Sequence, residues 1–292
     1  MAYRPRRRSS RRNEGSHRRP RRGHDDLAGR FLVAVPAILF AVVIISAGGI
    51  WFALGVVGLG LVALHELYGL MGRVRPMRLA GFLVVVALVV AALWGGHVHV
   101  VAVLMASFPV VFAFALLRPG RENVSWVIAA TFLGILWIGL PLAHAVFLRE
   151  LPHGAGLLAA VLVGTFVGDT AAYSGGRTWG RRPLAPGISP NKTWEGLLTG
   201  IVVGTFFFWL FAWAYQDWFR PGWAALVVGF CVALAAPVGD LFESMVKRDL
   251  GVKDAGRFFG PHGGVLDRLD ALFFTVPAGY YVSVAVLPWA ST

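Results

Sequence analysis

The chain has 292 residues, of which 57% are hydrophobic and 14% charged, with a mean hydropathy of +0.67. That usage excludes an ordinary soluble domain and makes lipid the solvent for most of the chain. A formal charge of +12 does not mark a nucleic-acid surface, because 11 of the 27 Lys and Arg residues fall in the first 30 positions, and the lone Cys231 excludes an intramolecular disulfide, a cysteine zinc site and an iron–sulfur cluster.

Residues 1–29 are rich in Arg, Ser, Pro and Gly and nearly lack large apolar side chains. They cannot bury enough surface to fold and are read as a disordered basic cytoplasmic tail that attracts anionic lipid. No nucleic-acid partner is expected. The remainder, 30–292, is expected to be one all-α, polytopic membrane domain. A helix needs about 20 apolar residues to cross ~30 Å of hydrocarbon. Nine such stretches fit, near 30–48, 50–71, 79–95, 98–117, 124–148, 154–174, 196–217, 223–245 and 268–289.

Cytoplasmic loops carry the excess of Lys and Arg. With the tail inside, the inside loops hold Arg73, Arg75, Arg78, Arg118, Arg121, Arg177, Arg181, Arg182, Lys192, Lys247, Arg248, Lys253, Arg257 and Arg268, while the outside segments hold Arg149 and Arg220. The expected location is therefore a cell (inner) membrane, with the N-terminus and the loops 175–195 and 246–267 cytoplasmic. Histidines 97 and 99 fall in an outside turn with no third ligand nearby, which predicts solvated surface.

Ionisable residues inside spans are costly unless paired, hydrated or metal-bound, so each is a functional candidate. Glu66, in the second span, either helps the site or bonds across helices, and the structural reading is preferred. In the sixth span, Asp169 and Tyr173 share a helical face. The loop that follows contains Gly175-Gly176-Arg177 and then Ser189-Pro190-Asn191-Lys192-Thr193-Trp194-Glu195-Gly196, residue types suited to cradling phosphate, although no GxxxxGK[ST] run is present. At the end of the eighth span Asp240, Glu243, Ser244 and Lys247 form one polar stripe, and Pro237 is expected to kink or break the helix where it begins.

Beyond the stripe come Arg248, Asp249, Lys253 and Asp254, then Gly260-Pro261-His262-Gly263-Gly264, then Asp267, Arg268 and Asp270 at the start of the ninth span. Carboxylates that hold a hard cation, beside basic side chains and a glycine-rich turn, suit a magnesium-escorted phosphate substrate. A secondary transporter would also carry charges within its spans, but spread along a path through the bilayer; here they gather at one face.

The run Ser244-x-x-Lys247-Arg248-x4-Lys253-Asp254, followed by His262-Gly263-Gly264-x-x-Asp267-Arg268-x-Asp270, resembles the signature of the phosphatidate cytidylyltransferase family. Asp169-x-x-x-Tyr173 and Ser189-Pro-Asn-Lys192-Thr193-x-Glu195-Gly196 resemble a second block of that family. The resemblance covers about residues 30–290. It implies a nucleotidyltransferase that joins CTP to phosphatidic acid, giving CDP-diacylglycerol and pyrophosphate for phospholipid biosynthesis. It also implies Asp240 and Asp267 as magnesium ligands with a second cation left open, Lys247 beside them, and Asp249, Lys253, Asp254, Arg268 and Asp270 around the nucleotide and phosphate. A homodimer is the family's expectation. One departure is Gly260-Pro261, where the family carries Pro-Gly. A CTP-dependent membrane lipid kinase is the runner-up, because it would share the metal, the nucleotide and a lipid acceptor.

Overall fold

The computed structural model describes residues 25–120, 122–215, 222–252, 254–256 and 263–287. The first 24 residues of the expected tail, together with Lys253 and the Gly260-Pro261-His262 turn, lie outside the described residues. The chain divides into Met1–Ile38 and Leu39–Thr292.

Each of the nine expected apolar stretches contains helix among the described residues. The helices are α1 (Asp25–Ala47), α2 (Gly49–Leu70), α3 (Arg78–Trp94), α4 (Gly96–Leu116), the continuous rod α5–π turn–α6 (Val124–Gly134, Ile135–Gly139, Leu140–Glu150), α7 (Gly154–Trp179), α8 (Trp194–Tyr215), α9 (Trp223–Asp249), and the short α10 (Leu266–Leu269) running into α11 (Leu272–Val286). Seven of these rods are long and apolar enough to cross a bilayer, and Val35–Ala47 and Arg78–Trp94 are shorter apolar helices. The protein is therefore an all-α polytopic membrane protein. Helices are the natural answer here because lipid offers no partner for a free backbone N–H or C=O.

Three features differ from the sequence reading. The loop after α7 contains a small antiparallel hairpin, β1 (Pro183–Ala185) and β2 (Ser189–Thr193), with Pro183 opposite Thr193 and Ala185 opposite Ser189. Helix α9 runs unbroken through Pro237 and on to Asp249, so Asp240 lies well inside it and does not close it. Helices α7 and α9 both outrun their expected ends, because polar residues at their last turns continue the helix beyond the apolar stretch.

Between helices in lipid there is no hydrophobic driving force, and close packing of small residues takes its place. Helices α7 and α8 meet through Gly164, Gly168, Gly200 and Gly204; a methyl group on Gly168 would press on the Gly200 carbonyl at 3.3 Å and the Gly204 Cα at 3.4 Å. Gly239 does the same for α9. A methyl there would meet the Asp270 carbonyl at 2.6 Å and the Ala271 Cα at 3.0 Å, so this glycine lets Asp240, its neighbour, approach the start of α11.

Candidate active site

The stripe expected on α9 is present, and α10–α11 and the hairpin close around it. Side-chain oxygens of Asp240, Glu243 and Asp270 all lie within 4.8 Å of one another. Two ammonium groups flank them. Lys192, from β2, is 2.6 Å from Asp240 Oδ2, and Lys247 donates to Glu243 Oε2 at 2.7 Å and to Asp267 Oδ1 at 2.9 Å. Ser244 Oγ lies 3.5 Å from Asp240 Oδ1. Asp169, from α7, interacts electrostatically with Asp270, Asp240 and Lys192, which places the sixth-span carboxylate at the same cluster.

Burial sharpens the electrostatics. The Glu243 side chain is 2% exposed and its Oε1 has no hydrogen-bond partner, whereas Asp240 keeps 39% of its surface open. Like charges this close repel strongly in a low dielectric. An orphaned buried oxygen beside two further carboxylates, one of them open, is a donor set that fits a hard, oxygen-seeking cation.

Asp267 is placed differently from the sequence reading. Its oxygens accept the Gly264 N–H at 2.7 Å and the Ala255 N–H at 3.0 and 3.1 Å, besides the Lys247 ammonium. Lys247 and the loop amides thus engage Asp267, and the carboxylates that converge with Asp240 are Glu243 and Asp270. Glu243 was legible in the stripe, three residues after Asp240, but the family pattern gave it no role. Gly263, at φ +91°, supplies the left-handed turn that aims the Gly264 amide at Asp267.

The remaining candidates divide by what they touch. Arg248 Nε donates to the Ile188 carbonyl at 3.2 Å, tying the hairpin tip to the end of α9. Thr193 Oγ1 accepts the Gly196 N–H at 3.1 Å, and Glu195 Oε2 accepts the Arg181 and Arg182 N–H groups at 3.0 and 3.2 Å. These two side chains hold the hairpin and the first turn of α8, which is capping work. Arg177 reaches the Tyr173 hydroxyl at 3.5 Å on the exposed face of α7. Ser189 opens β2, and Asp249, Asp254 and Arg268 are exposed. Lys253 and His262 fall outside the described residues.

A family model described as "Cytidylyltransferase family" matches residues 28–286. A Mycobacterium bovis protein named phosphatidate cytidylyltransferase is 30% identical over 287 residues, covering 90% of this chain and 90% of that protein. A Staphylococcus epidermidis protein of the same name is 31% identical over 255 residues, covering 85% of this chain and 95% of its own. A Mycobacterium leprae protein, again of that name, is 37% identical over 158 residues, 54% of this chain and 50% of its own.

Proposed function

The chain belongs to the cytidylyltransferase family, and we propose that it joins CTP to phosphatidic acid, forming CDP-diacylglycerol and releasing pyrophosphate. The observation that carries this reading is the meeting of Asp240, Glu243 and Asp270 within 4.8 Å, between Lys192 and Lys247, at one end of a helical bundle. Asp240, Glu243 and Asp270 would hold magnesium, which when bound supplies positive charge to the phosphate oxygens. Lys192 and Lys247 stand on either side of the cluster, where ammonium groups take up the negative charge that spreads over a transferring phosphoryl group.

In the reaction a phosphate oxygen of phosphatidic acid attacks the α-phosphorus of CTP, a new P–O bond forms, and the bond to the bridging oxygen breaks with its electron pair leaving on pyrophosphate. The acceptor is already an anion. Positioning and charge neutralisation can therefore carry most of the rate, and the absence of a Ser–His–Asp arrangement among the candidates is consistent with that. The Arg and Lys distribution supports a cytoplasmic site, on the side that holds nucleoside triphosphates.

The test is to give purified protein radiolabelled CTP, phosphatidic acid and magnesium, and to repeat with Asp240→Asn, Asp267→Asn and excess chelator. The expected products are a cytidylyl lipid and pyrophosphate, lost with chelator and with either substitution. A phosphorylated lipid with CDP would instead support the kinase, and full activity in chelator would overturn the cation site.

A further inference from the structure

Glu66 lies near the end of α2, far in sequence from the carboxylates of α9 and from Asp270. Its Oε2 accepts the Leu266 N–H at 2.9 Å across 200 positions of sequence. Amides that begin a helical turn have no partner within it, so they must find one elsewhere. Asp267 takes the amide two residues earlier, that of Gly264. Two carboxylates, one from a distant helix and one from the segment itself, thus hold the backbone from which Asp267 and Asp270 project.

The glycines on this segment are fitted to Glu66. A methyl group on either Gly256 or Gly264 would land on its carboxylate. Neither glycine has a positive φ, so each supplies room and not backbone freedom. An acidic side chain is otherwise a poor choice here: in a span, a plain packing role would be filled without a charge. The second oxygen, Oε1, is buried without a hydrogen-bond partner.

We infer that Glu66 is a positioning residue for the transfer reaction, holding the 264–266 backbone so that Asp267 meets Lys247 and Asp270 meets Asp240 and Glu243. The inference rests on the reaction proposed above. Glu66 bonds the Leu266 amide and its charge also acts on Asp267, so its hold on the reacting groups runs through the segment it binds. Loss of the carboxylate loosens the segment, which misplaces two charged groups at once. Small misplacements of this kind cost rate more than binding.

The experiment uses the full chain in lipid nanodiscs, with kcat, the KM for each substrate and the magnesium requirement measured per folded molecule. Glu66→Ala is expected to lower kcat by about 10- to 100-fold with the CTP KM within about 3-fold, and to need more magnesium for half-maximal rate. Glu66→Gln, which keeps an acceptor for the Leu266 amide, is expected to recover to within about 5-fold of wild type. Gly256→Ala is expected to lower kcat in the wild-type background, yet to cost less than about 2-fold more beside Glu66→Ala, because the clash has gone. Wild-type kcat in Glu66→Ala, or a Gly256→Ala effect that multiplies unchanged, would overturn the role. Should Glu66→Ala not fold, unchanged kcat in both Glu66→Gln and Gly256→Ala overturns it instead. A wild-type protein that makes no cytidylyl lipid condemns the reaction itself; one that makes it while Glu66→Ala runs at full rate condemns the positioning role alone.

Discussion

The two ends of α11 carry polar groups in opposite ways. Asp270 lies two residues before the helix, while Tyr280 and Tyr281 lie about 15 Å further along at the helical rise of 1.5 Å per residue. At the tyrosine end, histidine and tyrosine side chains pair with one another, while the buried Ser283 hydroxyl, which carries no charge, is left without a partner. His144 Nδ1 donates to the Leu140 carbonyl at 2.8 Å, the Tyr281 hydroxyl donates to His144 Nε2 at 2.8 Å, and His97 Nε2 and the Tyr280 hydroxyl bond at 2.6 Å. His97 is exposed, as expected, and its ring also lies 4.1 Å from that of Phe147, so it adds a helix-to-helix tie. At the aspartate end, the carboxylates of Asp169, Asp240, Glu243, Asp267 and Asp270 meet the ammonium groups of Lys192 and Lys247, and Glu243 Oε1 is left without a partner. A neutral, matched pair is tolerable in hydrocarbon and ties helices together. Unmatched carboxylate is costly there, and its retention points to a ligand that completes it.

That contrast breaks most visibly at the cluster. Asp240→Asn or Asp270→Asn is expected to lower kcat/KM by about 1000-fold or more, roughly 4 kcal/mol of transition-state stabilisation. Thermal unfolding of the solubilised protein, measured without magnesium, should be unchanged or shifted upward, because a repelling charge has been removed. A variant that keeps its activity but melts early would make this end structural, like the other.

Lys192 offers a sharper and smaller test. Its ammonium is the group nearest Asp240, and it comes from the hairpin and not from a helix. Lys192→Met is expected to lower kcat/KM by about 10- to 100-fold, chiefly through the KM for CTP, since a charge that meets phosphate in ground and transition states alike acts on binding. Steady-state kinetics at varied CTP decides it. A loss confined to kcat would place Lys192 at the transition state alone.

Much of this arrangement is written locally in the sequence. The helices follow from apolar runs, seven of them long enough to cross a bilayer, and the α9 stripe follows from Asp240, Glu243, Ser244 and Lys247 at helical spacing. What sequence hides is long-range. The partners of Asp267 are backbone amides set by a loop, and Glu66 reaches its own from another helix, so no periodicity marks either. The hairpin was equally hidden, because strands of three and five residues containing Pro183 and Pro190 look like a loop until Trp194 N–H closes on the Arg182 carbonyl at 3.0 Å.

The smallest expected effect comes from the tyrosine end, and it is the one that gives the contrast its meaning. Tyr281→Phe removes one hydroxyl and leaves His144 Nε2 without its donor, while the ring contacts that pack Tyr281 beside Tyr280 and His144 remain possible. Hydrogen bonds between membrane helices are worth about 0.6 to 1.7 kcal/mol, so the substitution should lower stability by about 1 kcal/mol. Because Tyr281 lies about 15 Å along α11 from Asp270, kcat/KM should stay within about 2-fold of wild type. Parallel melting curves and CDP-lipid assays on Tyr281→Phe and Asp270→Asn then form a crossed pair, in which one variant moves stability without activity and the other moves activity without loss of stability. A Tyr281→Phe protein that melts normally but turns over slowly would mean that the two ends of α11 are coupled, and that the neutral end takes part in the chemistry it was thought only to support.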